Sequence, residues 1–268
     1  MDDLLRELAP ISKDAWSAID EEAKQHLTVS LAGRRIVDFI GPLGWPFSAV
    51  DLGQAKAMDA QPEPGVSAAL RRVLPLVELR APFELSRRDI EDMARGRKDP
   101  ELDPVRAAAR SIALAEDRAI FHGYPAASIV GLFDASAENA LTLTRDYQKY
   151  PLVVSEGLAR LHRSGVGGPY ALALGPDCYK GLTGTATSGG YPIIEHVQHL
   201  IDGVVFPAPG VRGALLASLR GGDFELVVGR DLSIGYEEHS STTVRLYLQQ
   251  SITFRVLSPE AAVPLVYR

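Results

Sequence analysis

Apolar residues at Trp16, Ile19, Ala23, Leu27 and Leu31 recur every three or four positions, which draws one buried stripe along a helix. Ser12 is placed to cap its start and Gly33 to stop it. Beyond Gly33 the period is lost. From Arg34 to about Arg72, the residues Gly41, Pro42, Gly44, Pro46, Gly53, Pro62, Pro64 and Gly65 cut the chain into short apolar fragments that fit neither a helix nor a strand. A structureless connection of that length is uncommon inside a compact domain, so this arm is either disordered or ordered by another chain. Its apolar residues Trp45, Phe47, Val50 and Leu52 favour the second reading.

After the arm, Val73 to Leu85 reads as a strand at an edge or bulge, because Pro75 and Pro82 cannot donate to a ladder. Ser86 caps a short helix that points Ile90 and Met93 inward and stops near Gly96. Asp103-Pro104 pairs a cap with a proline at the first helical position. The apolar face from Val105 through Ile120 carries that helix to His122-Gly123. Its alanines allow close approach of a neighbouring element, making it the central support of a first lobe. A second lobe spans about 130 to 220. It contains a helix from Pro151 to His162, a strand Tyr170 to Leu174 and a helix Ile193 to Ile201. Gly213 to Leu219 and Phe224 to Val228, joined at Gly221-Gly222-Asp223, are predicted to form a hairpin. Alternation from Val244 to Val256 predicts a long strand buried on one side.

Composition narrows the function. With 268 residues, 46% hydrophobic and 23% charged, the chain is long enough for one or two cores, and no run approaches the roughly 20 apolar residues of a membrane span. Met1 to Glu7 reads as acidic and helical, unlike a secretory signal, and the single Cys178 excludes an internal disulfide; a cytoplasmic protein is expected. A net charge of −6, with arginine pairs only at Arg34-Arg35, Arg71-Arg72 and Arg87-Arg88, argues against a nucleic-acid partner.

Catalytic patterns are weak. Glu195, His196 and His199 share one helix, too few ligands for a catalytic metal. Ser164, Ser188 and Ser251 lack nucleophile-elbow surroundings, so a hydrolase is only an alternative. The glycine-rich run 184 to 190 matches neither a phosphate-binding loop nor a dinucleotide fingerprint and reads as a flexible loop.

Seven separated motifs carry a more specific signal: Gly33-Arg34-Arg35-Ile36-Val37-Asp38, Gly41-Pro42-Leu43-Gly44-Trp45, Phe83-Glu84-Leu85-Ser86-Arg87, Glu116-Asp117-Arg118-Ala119-Ile120-Phe121-His122-Gly123, Gly221-Gly222-Asp223-Phe224-Glu225-Leu226, Ile234-Gly235-Tyr236 and Val244-Arg245-Leu246-Tyr247-Leu248-Gln249-Gln250-Ser251. In this order, over nearly the whole chain, they resemble the encapsulin shell proteins, family 1, once labelled linocin-like bacteriocins. The resemblance implies an α+β fold of the phage major-capsid type. It divides the chain into an N-terminal helical arm (1–42), an elongated loop (43–76), a peripheral domain with a spine helix (77–129 and 223–268) and an axial domain (130–222).

The implied function is that of a non-enzymatic subunit. Identical copies, roughly 60 or a multiple, would close into an icosahedral shell around a cargo enzyme held by a C-terminal targeting peptide. In the family the cargo is typically a dye-decolourising peroxidase or a ferritin-like iron protein, and no cofactor, metal, nucleic acid or membrane is expected. Carried over by position, Leu31, Arg34, Asp38, Phe39, Asp231, Ile234 and Tyr236 would line the peptide groove, unless Arg34 and Asp38 merely pair with each other. The loop Leu182, Thr183, Gly184, Thr185, Ala186, Thr187, Ser188, Gly189, Gly190 and Tyr191 matches the family's five-fold pore; a variable surface loop is the alternative. A genuine phage capsid protein would share the fold, but the acidic balance argues against genome packaging.

Overall fold

The computed structural model describes residues 3–267. Met1 and Asp2, part of the expected helical start, and Arg268 lie outside the described residues. The remainder of that start holds only a 3-10 turn, Arg6–Leu8. The helices are α1 Lys13–Ser30, α2 Arg87–Ala94, α3 Asp103–His122, α4 Leu132–Ala135, α5 Tyr150–Arg163, α6 Pro176–Gly184 and α7 Ile193–Ile201. The first strands are β1 Asp38–Ile40, β2 Ala49–Ala57, β3 Ala69–Pro75, β4 Val77–Ser86, β5 Leu141–Leu143 and β6 Tyr170–Leu174. They are followed by β7 Gly203–Pro207, β8 Ala214–Ser218, β9 Phe224–Val228, β10 Ser233–His239, β11 Thr243–Val256 and β12 Ala262–Tyr267.

The Ser12 hydroxyl accepts the Ala15 N–H at 3.3 Å and starts α1 as predicted, and Ala15, Trp16, Ile19, Ala23 and Leu27 form its buried face. The helix ends at Ser30, before the predicted stop. Gly33 serves packing instead. A Cβ there would stand 2.6 Å from Ile120 Cδ1, so glycine lets the arm lie directly against α3. At the other end of the first lobe, Ser86 caps α2 by accepting the Arg88 N–H. For α3 the cap is one residue earlier than predicted, at Leu102. Asp103 is already helical, and the Glu101 carboxylate accepts its N–H at 3.0 Å.

The arm is not structureless. β2 and β3 form an antiparallel ribbon that joins no other sheet, with its register shifted between Asp51 and Gln54 where Gly53 takes φ +67°. Its alternation is illegible in sequence because neither face is buried within the chain: Met58, Leu70 and Val73 are all more than half exposed. Nearer its base the arm does find partners, since the Arg230 guanidinium stacks on Trp45 at 4.5 Å.

Two five-stranded sheets make up the rest. The first runs β1-β9-β11-β10, with β4 on the far side of β11. Pro82 is tolerated because β4 pairs with β11 alone. The second sheet runs β5-β12-β8-β6-β7. The predicted hairpin therefore does not form: β8 pairs with β12 and β6, whereas β9 pairs with β1 and β11, and the glycine turn carries the chain from one sheet to the other. The last strand, β12, lies in the second sheet rather than with the other residues of 223–268. Strand β11 also departs from expectation. Its alternation holds at Val244, Arg245 and Leu246, but from Tyr247 to Phe254 both faces are buried: α3 packs on the side of Leu246 and Leu248, and on the other face the Arg80 guanidinium lies over the Tyr247 ring.

Two apolar cores result. One gathers α1, α2, the first half of α3 and Val244, Leu246 and Leu248 of β11; the other gathers the second sheet, Ile120 and Phe121 of α3, and Ile252 and Phe254 of β11. Both long elements cross the divide. At the crossing stand polar residues, Glu116 and Asp117 on α3 and Gln250 on β11, all fully buried.

Candidate functional site

This polar seam receives the arm. As the chain leaves α1, the Asp117 carboxylate accepts the Ala32 N–H at 3.1 Å and the Gly33 N–H at 2.8 Å. Arg34 then donates to both Glu116 oxygens, at 2.7 and 2.8 Å, and to Asp231 at 2.8 Å and Gln250 at 3.3 Å. A planar fork is the side chain that can serve so many acceptors at once. Burial opposes the Arg34 charge, yet Glu116 and Asp231 outweigh it and raise its pKa above the ordinary arginine value. Burial, with the Glu116 charge adding to it, pushes the Asp117 carboxyl up to about 7, against the pull of the Gly33 and Ala32 N–H groups and of Arg34.

Of the seven residues expected to line a peptide groove, six fall into two groups around this seam and Asp38 stands apart. Phe39 is 39% exposed with Arg34 over its ring at 5.0 Å, while Leu31 is half-buried beside the first core. Asp231 keeps a half-open carboxylate that also accepts the Leu232 N–H. These three and the edge of Arg34 present a surface. Ile234 and Tyr236 instead lie in the first core, 4% and 9% exposed, and add little to that surface. Asp38 and Arg34 do not pair: the Asp38 carboxylate accepts the Gly222 N–H at 2.6 Å and fixes the turn between the two sheets.

The loop at 182–191 is likewise divided. Leu182 is in α6 with no exposed surface, so it anchors the loop and cannot line an opening. Thr183 and Gly184 close that helix, the Thr183 hydroxyl donating to the Tyr179 carbonyl at 2.8 Å. The rest is pinned rather than flexible. Thr187 N–H donates to the Tyr191 carbonyl, Gly190 N–H to the Thr187 carbonyl and Ile193 N–H to the Thr185 carbonyl, all near 2.9–3.0 Å. Ala186, Ser188, Gly189, Gly190 and Tyr191 remain exposed.

Glu116, Asp117 and Gln250 escaped the sequence reading as site residues, although a Glu on the inward face of an alanine-rich helix was a signal that something must neutralise it. Among the described residues there is no group of three His, Cys, Asp or Glu able to hold a metal ion, and no helix long and apolar enough to cross a membrane.

Comparison with known proteins fits this geometry. Residues 1–253 match the family described as encapsulating protein for peroxidase, Linocin_M18. A type 1 encapsulin shell protein of Rhodospirillum rubrum is 54% identical over 99% of this chain and 96% of its own length. One from Mycobacterium tuberculosis is 46% identical, over 99% of both chains. Among solved structures, a virus-like particle from Pyrococcus furiosus superposes with a TM-score of 0.62 at 15% identity, covering 93% of this chain and 98% of the other. The Mycobacterium phage Bobi structure gives 0.60 at 12% identity, over 89% and 91%. Two sheets crossed by one long helix and one long strand, with a projecting ribbon, are thus a capsid-type fold, and the chain belongs to the type 1 encapsulin shell protein family.

Proposed function

We propose that copies of this chain close into an icosahedral shell, of roughly 60 subunits or a multiple, that encloses a cargo enzyme in the cytoplasm. The family description favours a peroxidase as cargo, with a ferritin-like iron protein as the alternative. The cargo is held through a C-terminal targeting peptide on the wall formed by α1, the arm and β10. In this reading residues 1–42 are the arm, 43–76 the elongated loop, 77–129 with most of 223–268 the peripheral domain, and 130–222 with β12 the axial domain. Residues 185–191, with Thr185 and Thr187 half-buried and the rest exposed, line an opening at a symmetry axis.

The observation that carries the peptide reading is Phe39: an aromatic ring left open beside the Arg34 charge cluster. Such a ring can receive aliphatic side chains, while Leu31 and Asp231 flank it. Phe39→Asp should leave particles assembled but empty, read as the cargo-to-shell ratio of native particles by mass spectrometry. Retained cargo would refute the groove. Ile234→Asp is no substitute, because its side chain is inside the first core and its loss would unfold the subunit.

A further inference from the structure

The outer edge of β10 is occupied by the chain itself. One edge of β10 pairs with β11 from Ser233 opposite Gln249 to Tyr236 opposite Leu246. On the other, the Tyr236 N–H donates to the Leu4 carbonyl at 2.8 Å. The residue before Leu4, Asp3, pairs with the guanidinium of Arg230, whose side chain is 15% exposed and which holds the Asp3 carboxyl below the usual carboxylate range. Arg230 is also stacked on Trp45, so its charge stays in place whatever becomes of Asp3. The residue after, Leu5, takes φ 52°, ψ 26°, the left-handed region that residues with a Cβ disfavour, and leaves its side chain 38% exposed.

We infer that Asp3 and Leu4 form a strap over the peptide groove, holding the β10 edge at Tyr236 and the Arg230 charge that an incoming segment would use, and that cargo loads by displacing them. The inference rests on the groove reading above. The ion pair of Asp3, the hydrogen bond from Tyr236 to Leu4 and the strained joint at Leu5 lie at the surface end of the chain, where a contact opens without disturbing the cores. Lifting the strap also lets Leu5 relax. The segment that replaces it offers the same chemistry: a carboxylate for Arg230 and, beside it, a backbone carbonyl for Tyr236 on an aliphatic residue.

The strap's own sequence supplies the probe. A fluorescent protein ending in Asp-Leu-Leu-Arg-Glu-Leu, the sequence of residues 3–8, is co-expressed with full-length shells and with shells lacking residues 1–4. Retention per shell is expected to rise about fivefold in the shortened shells, the size of one recovered hydrogen bond. The variant Asp3→Lys, which keeps the chain length and repels Arg230, should shift retention the same way and is read instead if the shortened chain does not assemble. Equal retention in strapped and unstrapped shells, or none in either, overturns the strap. That failure is distinct from failure of the groove: cargo lost from Phe39→Asp particles with no strap effect leaves the groove standing, whereas cargo kept by Phe39→Asp removes both.

Discussion

Arg34 on the arm and Glu116 on α3 meet through two parallel hydrogen bonds of 2.7 and 2.8 Å, at the level where one apolar core gives way to the other. Glu116 has no exposed surface, so its charge depends on that partner. Removing one member of a buried pair leaves the other uncompensated, which costs about 3 kcal/mol. Arg34→Ala should therefore lower the melting temperature of the particles by several degrees at fixed protein concentration. Arg34→Lys should recover little, because an ammonium cannot span both oxygens of Glu116 and still reach Asp231.

Gly33 tests how closely the arm lies on α3. Gly33→Ala forces a methyl to within 2.6 Å of Ile120 Cδ1, and overpacking of this kind costs about 1–3 kcal/mol. In an Ile120→Val background, which removes that Cδ1 atom, the added cost should shrink. A double-mutant cycle on thermal stability that shows simple additivity would contradict the contact.

Asp117 gives the fold a pH dependence of definite sign. Its carboxyl is raised in the folded chain to about 7 from an ordinary 3.8, so the folded state holds a proton that the unfolded state has lost. Its contribution to stability is complete below the unfolded value and declines as pH rises from about 4 to about 7. Asp117→Asn, which does not titrate, should flatten that part of the stability profile relative to the parent chain. An unchanged slope between the two would show that Asp117 does not carry it.

Residues 185–191 are expected to face an opening between subunits. Thr185→Asp and Thr187→Asp should place carboxylates there and slow entry of small anions into loaded particles, measured as turnover of the enclosed enzyme with an anionic substrate. Unchanged turnover with intact particles would make this segment an ordinary surface loop.

Much of the secondary structure was readable because its causes are local. Ser12 and Ser86 are caps, and Tyr170–Leu174 is an apolar run bounded by turns. The unreadable parts depended on partners distant in sequence. The glycine turn after β8 looks like a hairpin until β9 finds β11, a pairing between residues such as Phe254 and Leu226. The ribbon β2-β3 hides its alternation because neither of its faces is buried within the chain. For the candidate groove, resemblance pointed to Arg34 and Phe39, but nothing in their spacing shows that Arg34 turns to Glu116 while Asp38 turns to Gly222.

In the proposed shell, that ribbon is the part of the chain that calls for other copies. Two strands with exposed Leu70 and Val73 and no third strand are marginal in water, and under the proposed assembly other copies cover them. Sedimentation velocity of the purified chain at micromolar concentration, with negative-stain images of the same sample, tests this most directly. A single fast boundary of hollow particles of uniform diameter is the predicted result. A stable, slowly sedimenting monomer with no particles in the images would contradict it.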